Sequence, residues 1–167
     1  GGGTMGAGIA AALRDAGLPV TLIERDEEAV HRGLQNLRSI FDGAVKRGKL
    51  TGAQAQARMD GVTAGSDYSL LAGTDLVIEA VFEDLAVKRA VFAQLGQTCR
   101  PDAILATNTS YLDPRLIAEG LPHPDRFIGL HFFSPANVMK LLEIVPTPTT
   151  SPETLATGFA LARTLNK

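Results

Sequence analysis

The stretch Gly1–Glu24, GGGTMGAGIAAALRDAGLPVTLIE, decides the fold of this 167-residue chain. Gly1, Gly3 and Gly6 fit the pattern G-x-G-x-x-G, an Ala-rich helical segment opens at Gly6, and a strand that ends in Glu24 follows. In such a turn the first glycine permits the tight bend, the second lets a pyrophosphate approach the backbone, and the third lets the helix pack near a strand. The order and spacing therefore predict a dinucleotide site.

The acid at the end of this strand refines the prediction. Glu24 lies about 20 residues after the glycines, where a carboxylate can accept both ribose hydroxyls of the adenosine half. It would also repel a 2′-phosphate, which favours NAD over NADP, although the adjacent Arg25 could soften that exclusion. The alternative is a structural turn followed by an acid that caps a helix.

Strand-like and helix-like segments alternate along the rest of the chain. This alternation predicts an α/β fold of the Rossmann type, doubly wound around a mainly parallel sheet. The predicted strands are Val20–Glu24, Gly61–Ala64, Asp75–Phe82, Ala103–Thr107, Phe127–Phe133 and Lys140–Val145. The predicted helices are Gly6–Ala16, a helical hairpin over Asp26–Met59, and Leu85–Cys99, with further helix starts at Asp113-Pro114 and Ser151-Pro152.

Composition limits the function classes. A formal net charge of -2 does not indicate the basic surface that binds nucleic acid. The single cysteine, Cys99, excludes an internal disulfide and a cysteine metal cluster. The longest apolar stretches are strand-sized, so no membrane span is expected, and no signal peptide is visible. An intracellular, cytoplasmic protein is the default expectation.

A second stretch, Gly129–Val145 (GLHFFSPANVMKLLEIV), places one histidine and one carboxylate in apolar sequence. A lone residue such as His131 is usually part of a core. Glu143, however, lies among apolar residues, and a buried carboxylate costs several kcal/mol unless a partner compensates it. We therefore expect Glu143 to be buried against His131. A carboxylate bound to one ring nitrogen leaves the other free to take a proton, as in a directed general base.

Two further carboxylates and a lysine follow one another near a strand end. Glu79 lies inside the apolar run Leu76–Phe82, and Glu83 follows at its carboxyl end. Ligands of open α/β sheets bind outside the carboxyl ends of strands, which places Glu83 at the cofactor edge. Alternatively, Glu83 caps the next helix. Lys88, one turn into that helix, could reach the same crevice or be solvated.

A polar turn, Thr107–Ser110, follows the next predicted strand. Its hydroxyl and amide groups could line a site, or the turn could simply cap the following helix. Ser110 is the candidate that would bond a substrate oxygen. No proton-relay partner is evident near it in sequence, so we expect a hydrogen-bonding role rather than a nucleophile.

The segments GTMGAGIA, VIEAVFEDLAVK, ATNTS and GLHFFSPANVMKLLEIV resemble the NAD-binding domain of L-3-hydroxyacyl-CoA dehydrogenases. The resemblance runs along essentially the whole chain. The motifs VFED, TNTS and HFFSP are most similar to the dehydrogenase part of multifunctional fatty acid β-oxidation enzymes. The resemblance implies hydride transfer from C3 of an L-3-hydroxyacyl-CoA to NAD, which gives the 3-ketoacyl-CoA, with no metal ion.

The resemblance also implies a role for each matched residue. His131 would be the catalytic base, Glu143 its orienting carboxylate, and Ser110 the group that bonds the substrate oxygen. Cofactor contacts would come from Gly1, Gly3, Gly6, Glu24, Glu83 and Lys88. Ser134, a further substrate contact, stands where many monofunctional members carry Asn, and serine also occurs there in multifunctional members.

Family members have a strand before the first glycine and a helical domain after the last helix. The resemblance therefore implies that residues 1–167 form one NAD-binding domain, truncated at both ends. The longer protein would take an acyl-CoA substrate and be a homodimer or part of a multifunctional chain. The isolated piece is expected to be marginally stable and inactive, because strands beside the missing one lack backbone partners.

Two other functions stay open. One is a dinucleotide-binding module without turnover, since the fold does not dictate function. His131, Glu143 and Ser110 count against it. The other is a dehydrogenase of a small hydroxy acid, which only regions outside this chain would distinguish.

Overall fold

A computed structural model describes all of residues 1–167, which form two compact units. One unit contains Gly1–Asp67 and Ser134–Met139, and the other contains Tyr68–Phe133 and Lys140–Lys167. Helices and strands alternate along the chain, and all strand pairs but one are parallel. The predicted Rossmann-type α/β fold is confirmed.

The first unit contains three helices and a two-stranded parallel sheet. Its elements are α1 (Thr4–Asp15), β1 (Val20–Ile23), α2 (Glu27–Lys46), α3 (Gly52–Asp60) and β2 (Val62–Gly65). Strand β1 pairs with β2, with Val20 opposite Val62. The helices share a small apolar core that consists of Ala10, Ala11, Leu37, Phe41 and Ala55.

The ends of α2 and α3 follow from local sequence signals. The Asp26 side chain accepts a hydrogen bond from the backbone N–H of Ala29 and begins α2. The side chains of Thr51 and Gln54 form a capping box that begins α3, within the predicted helical hairpin. Gly48 has a positive φ of 68° and follows the end of α2, as expected for a left-handed terminator.

Helix α1 differs from its prediction at one end. It begins at Thr4 rather than Gly6, because Gly3 is the N-cap residue, so Gly6 is a buried interior residue of the helix. Its other end agrees, since α1 stops at Asp15 and Gly17 has a φ of 80°. The predicted start of this helix is therefore wrong by two residues.

The second unit contains a four-stranded sheet in the order β3-β4-β5-β6. Its elements are β3 (Leu76–Glu79), α4 (Leu85–Thr98), β4 (Ile104–Thr107), α5 (Pro114–Ile117), β5 (Phe127–Phe132), β6 (Leu142–Pro146) and α6 (Pro152–Thr164). The first three strands are parallel and β6 is antiparallel to β5. Short 3-10 helices lie at Tyr68–Leu71 and Pro124–Arg126. Every predicted strand is present, although β3 is half as long as predicted and β6 begins two residues later.

Helix α6 lies close to β5 and β6 because a glycine faces them. A Cβ atom at Gly158 would lie 3.3 Å from side-chain atoms of both Ile128 and Ile144. Side chains alternate between the two faces of a strand, so the face of β6 that carries Ile144 is the one that packs against α6. Glu143 therefore lies on the opposite face.

None of the six α-helices combines the length and apolar character that crossing a bilayer requires.

Candidate active site

The predicted acid–imidazole pair is present in the second unit. His131 on β5 lies directly opposite Glu143 on β6 in the antiparallel register. His131 Nδ1 and Glu143 Oε2 are 2.7 Å apart, which is hydrogen-bonding distance. The pairing fixes the ring through Nδ1 and leaves Nε2 available to a ligand. The ring centroid of Phe133 lies 4.5 Å from that of His131.

The predicted burial of Glu143 is wrong. Its side chain is 52% exposed, whereas that of His131 is 18% exposed. Leu142 and Ile144, two of the apolar neighbours that suggested burial, lie on the other face of β6, and β6 is an edge strand of the sheet. The strand register therefore brings Glu143 and His131 together. Burial of the Glu143 charge is not the reason for the contact.

A glycine brings the two strands together next to this pair. Gly129 lies opposite Val145, on the same face as His131 and Glu143. A Cβ atom at Gly129 would lie only 2.9 Å from Val145 Cβ, so a larger residue would push β6 away. The sequence prediction did not include Gly129, and a lone glycine inside a strand pattern is the signal that could have revealed it.

A second cluster in the same unit centres on the carboxylate of Glu83. It accepts hydrogen bonds from the Thr109 hydroxyl and from the Ser110 N–H, the latter at 2.8 Å, and Lys88 Nζ lies 3.1 Å from Oε2. Partial burial raises the pKa of Glu83, but the hydrogen bonds from Thr109 and Ser110 and the Lys88 ammonium outweigh it and lower the pKa to about 2. Glu83 is thus held ionised beside Ser110.

For Glu83 and for Lys88, the structure excludes one of the alternatives that the sequence left open. Glu83 does not cap α4, because the side chain of Asp84 accepts from the N–H of Val87. Lys88 is not solvated, since its side chain is 1% exposed and Nζ lies 2.8 Å from Glu79 Oε1. Lys88 is therefore a buried cation that bridges two carboxylates.

The polar turn after β4 also contains a residue that the sequence prediction passed over. Asn108 Oδ1 accepts from the N–H of Phe132 at 2.8 Å, and the Asn108 N–H donates to the carbonyl of Glu79 at 2.8 Å. Asn108 thus connects the carboxyl ends of β3 and β5, next to His131. Sequence indicated that the whole turn was polar, but not which side chain reaches across the sheet.

In the first unit, the glycine turn contacts Glu24. The Gly2 N–H donates to Glu24 Oε1, and the Gly2 carbonyl accepts from Asn36 Nδ2 at 3.0 Å. A Cβ atom at Gly2 would lie 2.6 Å from the backbone Cα of Gly33 in α2. Gly2, Asn36 and Gly33 were not predicted, because only the folded helical hairpin brings α2 against the turn.

The N-terminus of α1 fits an anionic group. Its N-cap, Gly3, supplies no capping side chain, and the first turn contains no acidic residue. A Cβ atom at Gly3 would meet nothing within 4 Å, so the backbone there is open to a ligand. Free N–H groups and the positive end of the helix dipole suit a diphosphate. Gly1 is half-buried and Gly6 is buried inside the helix.

Ser134, the predicted substrate contact, lies in the first unit and is exposed. Its peptide bond to Pro135 is cis. The neighbouring Ala136 packs against α1, where a Cβ atom at Gly8 would lie 3.2 Å from Ala136 Cβ. No hydrogen bond links Ser134 to the other predicted site residues.

A glycine turn, an open helix N-terminus and an acid at the end of β1 define the class of protein: a dinucleotide-binding domain of the Rossmann type. The family model described as "3-hydroxyacyl-CoA dehydrogenase, NAD binding domain" matches residues 1–167. The chain belongs to this family, and its cofactor is NAD.

Named relatives agree with this assignment. The chain is 41% identical over 167 residues to a peroxisomal fatty acid beta-oxidation multifunctional protein of Oryza sativa subsp. japonica, covering 100% of this chain and 23% of that protein. It is 42% identical over 153 residues to the 3-hydroxyadipyl-CoA dehydrogenase of Escherichia coli, covering 92% of this chain and 32% of the relative. The chain thus spans 23% of the first relative's length and 32% of the second's.

A solved structure shows the same fold. The (S)-3-hydroxybutyryl-CoA dehydrogenase PaaH1 of Ralstonia eutropha superposes with a TM-score of 0.97 at 36% identity, and the match covers 100% of this chain and 59% of that chain. This similarity includes the whole described domain.

Proposed function

We propose that the longer protein containing this domain oxidises an L-3-hydroxyacyl-CoA to the 3-ketoacyl-CoA in fatty acid β-oxidation. The observation that carries this proposal is the 2.7 Å contact between His131 Nδ1 and Glu143 Oε2, in a domain of the NAD-binding family. A module that only bound a dinucleotide would need no imidazole oriented by a carboxylate.

The geometry of the first unit supports several of the proposed cofactor contacts. In the first unit, Gly1, Gly3 and Gly6 form the turn and the helix start that would hold the diphosphate, and Glu24 would accept the ribose hydroxyls. In the second unit, Glu83 is a further proposed contact, and the buried Lys88 would act on the cofactor by holding Glu83. Bound NAD supplies an acceptor for the hydride that leaves C3 of the substrate.

The residues of the chain supply the proton chemistry and the positioning. His131 Nε2 would take the proton of the C3 hydroxyl, since Nδ1 is engaged by Glu143. Glu143 would stabilise the imidazolium that forms. Ser110 would bond the substrate oxygen through its exposed hydroxyl, and Ser134 would be a further substrate contact.

The proposed partners and compartment concern the longer protein. An acyl-CoA substrate is supported by the CoA thioester named for the E. coli relative, and a multifunctional chain by the name of the rice relative. A homodimer and a cytoplasmic location stay predictions. The relatives include one that is named peroxisomal.

The test is an NADH absorbance assay on the longer protein, with its flanking sequence intact. We expect reduction of NAD with L-3-hydroxyacyl-CoA substrates, and none with the D-isomers or with a small L-3-hydroxy acid that lacks CoA. His131→Ala should lower kcat by about a hundredfold or more, the range for loss of a general base. Unchanged turnover by His131→Ala would overturn the assigned role, and turnover of the free acid alone would favour the small-substrate alternative.

A further inference from the structure

We propose that Glu79 is a positioning residue that acts through Lys88 and Thr107 to hold Glu83 and the turn carrying Ser110. The inference rests on the proposed function for the role of Ser110, but its contacts stand independently. Glu79 touches neither the predicted base nor the glycine turn in any hydrogen bond of the structure. It is nevertheless the one buried carboxylate of the second unit.

Both oxygens of Glu79 are used, and the side chain is 0% exposed. Oε1 accepts from Lys88 Nζ at 2.8 Å and from the N–H of Val81 at 2.6 Å, while Oε2 accepts from the Thr107 hydroxyl at 2.7 Å. These three partners come from α4, the segment after β3 and the end of β4. One carboxylate therefore connects three elements at the carboxyl edge of the sheet.

The first route from Glu79 to Ser110 runs through charge. Lys88 Nζ lies between Glu79 Oε1 at 2.8 Å and Glu83 Oε2 at 3.1 Å, and Glu83 Oε1 accepts the Ser110 N–H. If Glu79 lost its charge, the buried ammonium would have Glu83 as its only anionic partner. Glu83 would then be drawn toward Lys88, and its hydrogen bonds to the turn would weaken.

The second route runs through a hydroxyl. Thr107 donates its hydroxyl proton to Glu79. The lone pairs of the Thr107 oxygen therefore point toward the N–H of Thr109, which lies 3.3 Å away. Thr109 in turn donates its hydroxyl to Glu83. The two routes therefore converge on the Thr109–Ser110 backbone, and a change at Glu79 should be felt there more than elsewhere in the unit.

The variants separate the two routes. Glu79→Gln keeps the size of the side chain and removes the charge, and Thr107→Val removes only the hydroxyl route at nearly constant shape. The matched control is Glu119→Gln, an exposed carboxylate of the same unit that pairs with Arg89. All are made in the longer protein, and their folding is checked by circular dichroism.

The first measurement is hydrogen exchange at the Ser110 amide, resolved by mass spectrometry of overlapping peptides. Loss of a hydrogen bond to a charged group predicts exchange about tenfold faster in Glu79→Gln than in the wild type, and a smaller increase in Thr107→Val. Glu119→Gln should match the wild type. Unchanged exchange at Ser110 in both Glu79→Gln and Thr107→Val would overturn the proposal.

The second measurement is a double-mutant cycle with Ser110→Ala. We expect Glu79→Gln to lower kcat about tenfold in the wild type and less than about twofold in Ser110→Ala, because coupled residues are not additive. Equal factors in both backgrounds would show a merely structural role and overturn the proposal. If the wild type turns over no 3-hydroxyacyl-CoA, the proposed function fails, and the exchange measurement alone decides whether Glu79 holds the turn.

Discussion

Glu143 faces His131 directly across the antiparallel pair of β5 and β6, with Oε2 2.7 Å from Nδ1. A hydrogen bond to a charged group contributes about 1.5–3 kcal/mol, so Glu143→Gln should lower kcat by roughly ten- to a hundredfold. The measurement is steady-state turnover of an L-3-hydroxyacyl-CoA by the longer protein. Glu153→Gln, an exposed change on α6, is the control and should be silent. A fall in kcat of less than about twofold in Glu143→Gln would contradict the orienting role.

Substitutions at two glycines of the turn should affect stability and NAD binding separately. Gly2→Ala places a Cβ 2.6 Å from the Cα of Gly33, so it should reduce the free energy of unfolding by about 1–3 kcal/mol. Gly3→Ala meets nothing within 4 Å and should cost at most about 1 kcal/mol, because Ala is a poorer N-cap residue, while it weakens NAD binding. Denaturant unfolding and NAD titration give the two quantities. Equal losses of stability in both variants would contradict a packing role for Gly2 and a binding role for Gly3.

Lys88 should contribute strongly to stability because its removal leaves a buried carboxylate without a cation. Lys88→Met leaves Glu79 without its cation, which should cost about 3–5 kcal/mol of unfolding free energy. Arg100→Met breaks an ion pair with the exposed Asp75 and should cost at most about 1 kcal/mol. Denaturant unfolding compares the two. The double variant Lys88→Met, Glu79→Gln should recover part of the loss, and no recovery would contradict the charge argument.

Acid should weaken the domain through Glu83. Burial raises the pKa of its carboxyl, but hydrogen bonds from Thr109 and Ser110 and the Lys88 ammonium lower it from 4.5 to about 2. The folded state therefore binds fewer protons than the unfolded state between these values. The contribution of Glu83 to stability is complete above a pH of about 4.5 and is lost as the pH falls toward about 2. The free energy of unfolding should fall less steeply in this window in Glu83→Gln, and identical slopes would contradict the prediction.

Glu24 should set the choice of cofactor. Its carboxylate is expected to accept the ribose hydroxyls and to repel a 2′-phosphate, so Glu24→Ser should lower the ratio of NAD to NADP affinity by about tenfold or more. Glu27→Ser, a change in the first turn of α2, is the control. Titration with both dinucleotides measures the ratio. An unchanged ratio would show that another residue excludes the phosphate.

Local signals in the sequence predicted much of the fold. The capping box of Thr51 and Gln54, the Asp26 cap and the glycines at the ends of α1 and α2 depend on residues a few positions apart, so sequence spacing is sufficient. Helix α1 began earlier than predicted because Gly3, not a polar side chain, is its N-cap.

The site was predicted less completely because its contacts join distant parts of the chain. The partner of His131 was predicted correctly, but the burial of Glu143 was not, since neither the edge position of β6 nor its face against α6 can be read from neighbours in sequence. The bond from Phe132 to Asn108 depends in the same way on strand order. Sequence identified the chemical groups, and topology determined their surroundings.

The close approach of Gly2 and Gly33 limits the side chains that either position can carry. Alanine inside a helix is favoured over glycine by about 1 kcal/mol, yet at Gly33 a Cβ would lie 3.0 Å from Leu22 and 3.2 Å from the Cα of Gly2. Helix α2 thus contains a residue of low helix propensity where the glycine turn packs against it. A Cβ at Gly2 would collide with the Cα of Gly33, and one at Gly33 would crowd the Cα of Gly2, so the two glycines constrain each other.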